Sequence, residues 1–130
     1  MKTETANLAL NEIGQIAITI SDLDKAVAFY RDILGLKHLF SAPSGLAFFA
    51  AGSIRLMLSR PEKADSEKFS SVIYFKVAEI EKAHDALLSR GVTFEAAPHL
   101  VAKMPDHELW MAFFRDPDRN LLALMCEKRN

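Results

Sequence analysis

The strongest constraint on this chain is that it repeats itself. Residues 15–35 (QIAITISDLDKAVAFYRDILG) and 72–91 (VIYFKVAEIEKAHDALLSRG) align without gaps through their middles. Ile16, Ile18 and Ile20 fall on Ile73, Phe75 and Val77; Asp22 and Asp24 fall on Glu79 and Glu81; Lys25-Ala26 falls on Lys82-Ala83. Both copies close on a glycine, Gly35 and Gly91, with one residue of slack. A repeat of this length is one supersecondary unit used twice, and each unit relies on its neighbour to bury what it cannot bury alone.

Within each copy the period changes once. Ile16, Ile18 and Ile20 alternate with Gln15, Ala17 and Thr19, as Ile73, Phe75 and Val77 alternate with Val72, Tyr74 and Lys76, which predicts a strand. The first set is greasy and faces a helix; the second is small, polar or mixed and faces solvent or a ligand. Leu23, Ala26, Val27, Tyr30, Ile33 and Leu34 then recur at helical spacing, as do Ile80, Ala83, Ala86 and Leu87. Ser21 or Asp22 caps the first helix, and Gly35 and Gly91 suit the left-handed residue that ends one. Short strand-like runs follow at 36–40, 46–50 and 54–59 in the first copy and at 93–96, 110–114 and 121–127 in the second. The turn signals are Pro43-Ser44-Gly45, Gly52-Ser53 and Asp116-Pro117-Asp118-Arg119-Asn120. The fold class is therefore α+β: a single domain, 1–130, of two βαβββ modules at about 11–60 and 71–128. A polar linker at about 60–70 joins them, and the two curved mixed sheets enclose a concave pocket.

Composition excludes several classes of partner. The 130 residues are 50% apolar, enough for a core without staples. A net charge of −1 supplies no field to attract nucleic acid or an anionic membrane. No apolar run approaches the roughly 20 residues of a membrane span, and residues 1–14 do not read as a signal peptide, so the expected location is the cytoplasm. The lone Cys126, inside LLALMCE, has no disulfide partner in the chain and reads as a small buried hydrophobe.

The patterns at 13–35 (I-x-x-I-x-I-x-I-x-D-x-x-x-A-x-x-F-Y-x-x-x-L-G), 73–83 and 113–124 (FFRDPDRNLLAL) resemble the vicinal oxygen chelate superfamily. That superfamily includes glyoxalase I, extradiol dioxygenases, fosfomycin and bleomycin resistance proteins and methylmalonyl-CoA epimerase. The resemblance is specific for fold and weak for reaction. It implies four inward positions, two per module, where metalloenzymes of the superfamily hold a cation. Carried onto this chain they are Gln15, Met57, Val72 and Ala123. An amide, a thioether and two hydrocarbons are poor donors for a divalent ion, so the expectation is no metal and no cofactor. The same comparison puts Arg119 where the superfamily usually has glycine. If that residue has positive φ, arginine there costs roughly 1 kcal/mol.

The remaining candidates follow from strand parity. Arg55 shares a face with Met57 and is placed to pair with a carboxylate or phosphate. Tyr74 and Lys76 share a face with Val72, with Lys76 near the strand end and water; Met57 and Met125 give the pocket an adaptable surface. Trp110 is either a stacking platform or core. His38 and His84 read as structural, with His84 facing outward. Asp106-His107-Glu108 reads first as a solvated turn and second as a proton-shuttling or relocated metal site with His99. No catalytic residue is assigned. The expected ligand-binding set is Gln15, Arg55, Met57, Val72, Tyr74, His107, Trp110, Ala123 and Met125.

The reading favoured is a binding protein that holds a small, partly apolar or planar molecule between the modules and pairs as a homodimer, because a duplicated half-barrel leaves apolar edges. The alternative is a glyoxalase-like lyase, isomerase or dioxygenase with a displaced metal or metal-free acid–base chemistry. A third reading is an interaction module whose pocket is filled.

Overall fold

The computed structural model describes residues 8, 13–42, 45–61 and 71–130. The first module runs β1 (Gln15–Thr19), α1 (Leu23–Ala28) continued by a π-helical turn (Phe29–Ile33), β2 (Lys37–Ala42), β3 (Leu46–Ala51) and β4 (Ile54–Ser59). The second runs β5 (Ile73–Lys76), α2 (Ile80–Ser89), β6 (His99–Lys103), β7 (His107–Arg115) and β8 (Leu121–Arg129). The sheet orders are β1-β4-β3-β2 and β5-β8-β7-β6. In each, the first strand runs parallel to the last and the other pairings are antiparallel. The two halves thus repeat strand for strand. Even the register repeats: Ala17 lies opposite Met57 as Tyr74 lies opposite Ala123.

The alternation decides which face is covered. Ile18, Phe49, Leu56 and Leu58 turn toward α1 while Phe114, Leu122, Leu124 and Cys126 turn toward α2, and both sets join one buried cluster. Cys126 is a small member of that core, its Sγ 3.4 Å from the Ala78 carbonyl oxygen. Asp22 caps α1, its carboxylate accepting from the Lys25 N–H at 3.1 Å. Asp22→Ala is expected to destabilise the fold by about 1 kcal/mol, read by urea unfolding. Glu79, its counterpart in the second copy, makes no such side-chain bond. Gly35 and Gly91 have φ of 79° and 92°, the left-handed conformation expected where each helix stops.

Three local expectations are corrected. The first helix is not α throughout: from Phe29 it widens, with Leu34 N–H donating to the Phe29 carbonyl at 2.9 Å. The widened turn buries the consecutive residues Phe29 and Tyr30 together, which a regular helical face cannot do as fully. The run 93–96 is not a strand; Phe94 makes one isolated bridge to Phe114. Pro98, which has no N–H to give a ladder, precedes the real strand β6, and a register shift between Leu100 and Ala102 hides its alternation. His84 does not face outward; its ring packs 4.3 Å from Phe94. Pro43, Ser44 and most of the linker lie outside the described residues.

Beyond the shared core, the turn between β7 and β8 bonds the second module to the first. Ser21 donates its N–H to the Asp118 carboxylate at 2.8 Å, and its hydroxyl bonds the same oxygen. Asn120 Nδ2 donates to the Thr19 carbonyl at 2.8 Å. Tyr30 donates its hydroxyl to Asp116 at 2.8 Å, and both side chains are buried. Burial, then the Asp116 charge, pushes the Tyr30 hydroxyl well above its ordinary titration range, so it stays a donor. Arg119 does have positive φ, 69°, in this turn; its N–H donates to the Asp116 carbonyl at 2.9 Å. Among the described residues, no helix is long and apolar enough to cross a membrane.

Candidate functional site

Each sheet has one face turned away from its helix. On the first sheet, register and alternation place Gln15, Ala17, Arg55, Met57, Phe48 and Phe40 there. Gln15 is the hub. Its Oε1 accepts from Arg55 Nε at 2.8 Å, and its Nε2 lies 3.8 Å from Met57 Sδ. The guanidinium of Arg55 sits over the Phe48 ring, 5.0 Å from its centroid, and Phe40 stacks on Phe48 with centroids 4.6 Å apart. Gln15, Arg55 and Met57, expected to share a site, are thus in contact with one another. The Phe40–Phe48 pair was not singled out from the sequence; the signal was there in the aromatic spacing of 40 and 48, but a register shift after His38 obscured which face Phe40 takes.

On the second sheet, Tyr74, Ala123, Met125, Met111 and Phe113 share the corresponding face. Tyr74 and Phe113 flank Ala123 in register and meet edge to face, 6.0 Å apart, which explains why Ala123 is fully buried. Ala123 therefore forms a floor rather than a lining. Lys76, on this face, is 3.8 Å from Glu127, so its charge is answered locally. The two expected groups form separate clusters, one per sheet.

Trp110 lies on the other face. It pairs in register with Cys126, packs against the core, donates its Nε1–H to Glu108 at 3.0 Å and carries Lys128 4.2 Å above its ring. The sequence left Trp110 between platform and core, and parity with the buried Ala112 and Phe114 puts it on the core side. His107 does share the face of Met111 and Phe113 but stands at the end of β7, its Nδ1 2.7 Å from the Asp106 carboxylate. The hydrogen bond from His107, then the Arg129 charge, holds the Asp106 carboxyl below the usual carboxylate range. His99 stacks on Phe113 at 6.3 Å, and Glu108 is engaged by Trp110. Among the described residues, no three His, Cys, Asp or Glu side chains converge as a cation would require, so His99, His107 and Glu108 do not form a joint site.

A hollow of about 620 Å³ opens between the modules. Ile16, Leu36, Ile54 and Leu56 line it from the first module and residues 72–76 from the second, so Val72 and Tyr74 are the expected site residues that reach it. Its shape follows from the turns. The five-residue turn after β7 reaches across to β1, whereas the tight Gly52-Ser53 turn after β3 stops short of β5.

The family model of the Glyoxalase/Bleomycin resistance protein/Dioxygenase superfamily matches residues 12–124. The Bacillus subtilis (strain 168) protein YraH, described as uncharacterized, is 33% identical over 126 residues, covering 85% of this chain and 94% of that one. A crystal structure of a glyoxalase/bleomycin resistance protein/dioxygenase superfamily member from Sphaerobacter thermophilus superposes with a TM-score of 0.74 at 27% identity, covering 92% and 100% of the two chains. Lactoylglutathione lyase from Agrobacterium tumefaciens shares the fold, with a TM-score of 0.75 at 23% identity over 91% of this chain and 95% of its own.

Proposed function

Since this chain belongs to the Glyoxalase/Bleomycin resistance protein/Dioxygenase superfamily, we propose that it is a binding member of it, holding a small, partly apolar or planar molecule without a divalent metal. One observation carries this reading. At the first-module positions where the resemblance implies metal ligands, Gln15 and Met57 contact each other, and Gln15 bonds the cationic Arg55 at 2.8 Å. An amide and a thioether are weak donors to a hard cation, and a guanidinium a bond away repels one. In the second module the matching positions, Val72 and Ala123, are hydrocarbon, and Ala123 is covered by Tyr74 and Phe113. The donor set does not fit a divalent cation.

What is left suits binding. The open faces carry aromatic rings and methionines, and the hollow that Tyr74 and the covered-side residues Ile16 and Leu56 line between the modules has the size range of a small-molecule site. Phe40 and Tyr74 remain 49% and 46% exposed, each extending an aromatic pair with Phe48 and Phe113. In this reading the chain pairs as a homodimer and the second copy closes over the bound ligand. The Asp106–His107 contact favours a second reading, metal-free acid–base catalysis, since a carboxylate that fixes one imidazole nitrogen leaves the other to move a proton.

The test combines three measurements on the purified chain. Elemental analysis is expected to find no stoichiometric metal, calorimetric titration with planar aromatic compounds to find saturable binding, and light scattering to return a dimer mass. Stoichiometric Zn, Ni, Mn or Fe overturns the metal-free reading. Turnover that survives chelator and is lost in His107→Gln establishes the second one. Trp110 fluorescence is a poor reporter here, because that ring lies on the core side.

A further inference from the structure

We propose that the open face of the first sheet recognises a carboxylate carried on a planar aromatic ring, with Arg55 as the anion clamp and Phe40 as the stacking surface. This rests on the binding reading above and names its ligand class.

Among the described residues, the cation on that face has no carboxylate partner, whereas Arg31, Arg115 and Arg129 each pair with one. Among the described residues, no carboxylate lies within 4.0 Å of Arg55; its Nε is held by a neutral amide oxygen instead. Lys37 sits in register beside Ala50, which in turn sits beside Arg55, so a second cation lies on the same face, about 10 Å away by strand spacing. Among the described residues, the acidic side chain that reaches an open face, Glu127, is on the other sheet. A chain of net charge −1 has thus set a locally positive patch on an aromatic floor.

The geometry selects the anion. Gln15 fixes the Nε edge of the guanidinium and Phe48 covers one of its faces, so the fork is oriented, and no described residue takes up its terminal nitrogens Nη1 and Nη2. A fork held in a plane matches the two coplanar oxygens of a carboxylate. Backbone N–H groups in the middle of β4 and β3 are committed to the ladder, so no nest of amides is offered, as a phosphate dianion would favour. The Phe40 ring stacks on the far side of Phe48 from the guanidinium, at an interplanar angle of 26°, and is half exposed, so the two rings extend an aromatic surface outward from the fork. A ring lying across the outer edges of Phe48 and Phe40 with its carboxylate toward Arg55 meets the aromatic surface and the fork at once.

The test uses three probes of one shape, 2-naphthoate, 2-naphthalenemethanol and 2-naphthyl phosphate, titrated calorimetrically into wild type, Arg55→Gln, Arg55→Lys and Phe40→Ala. Wild type is expected to bind the carboxylate at least about tenfold more tightly than the alcohol, the value of one charge-assisted contact. Arg55→Gln brings the carboxylate to the level of the alcohol, Arg55→Lys recovers part of the preference, and Phe40→Ala weakens carboxylate and alcohol alike. Equal binding of carboxylate and alcohol by wild type, or a preference that survives Arg55→Gln, overturns the inference while leaving the binding reading intact. A phosphate bound more tightly than the carboxylate overturns the ligand class. Failure of all three probes likewise overturns the inference, while the binding reading is decided by the wider titration with planar aromatic compounds. Arg55 and Phe40 are exposed, and circular dichroism verifies that the variants fold.

Discussion

Asp116→Ala is expected to cost about 3–5 kcal/mol, a large fraction of the 5–15 kcal/mol by which a domain of this size is stable. Asp116 is 4% exposed and its carboxylate is the shared acceptor of four donors. Tyr30 Oη and Asn120 Nδ2 reach one oxygen at 2.8 and 2.9 Å; the N–H groups of Asp118 and Asn120 reach the other at 2.9 and 2.8 Å. Alanine leaves the Tyr30 hydroxyl buried without an acceptor and releases the turn that ties the second module to β1. Two further variants separate these contributions. Tyr30→Phe removes one donor while Asn120 still satisfies that oxygen, and should cost about 1–2 kcal/mol. Asp116→Asn keeps the shape but turns one acceptor into a donor, and should fall between the two. Urea unfolding followed by circular dichroism measures all three. A loss below about 1 kcal/mol for Asp116→Ala would show that the turn is peripheral to the joining of the modules.

Phe114→Ala is expected to cost about 3–5 kcal/mol for a different reason. Phe114 is fully buried at the centre of the second sheet and packs on Phe94 at 5.2 Å. Its removal leaves a cavity walled by strands whose registers are fixed on both sides, so little collapse can fill it. The contrast is Phe40→Ala: the same residue type at an exposed position, where only part of one stacking contact is lost and the cost should stay below about 1.5 kcal/mol. If the two phenylalanines lose similar stability, the assignment of covered and open faces is wrong.

Much of the fold was legible because it is carried by period. The alternation at Ile16–Ile18–Ile20 and its repeat at Ile73–Phe75–Val77 require nothing beyond neighbouring residues to be read, and the structure places both as parallel edge strands. The superfamily resemblance set Met57 beside Gln15 and parity added Arg55, and the structure brings the three into contact. Where the reading went astray, a long-range partner had overridden the local signal. Pro98 and the shift at Val101 moved β6 beyond its expected place. The pull of Asp116 on Tyr30, 86 residues apart, accompanies a π turn that no periodicity announces. Ala123 looked like a wall of the site because alternation gives a direction but not the size of the neighbours that close over it.

By itself, the sequence determined that this chain is a duplicated βαβββ unit and which face of each strand is greasy. These are properties of residue order, set by the pitch of helix and strand. The tertiary structure alone decided that Gln15 spends both ends of its amide on Arg55 and Met57. It decided that Trp110 belongs to the core, and that the turn at Asp116 locks one side of the module junction while the opposite side stays open. Those outcomes depend on loop reach and on side chains distant in sequence competing for the same space and the same hydrogen bonds.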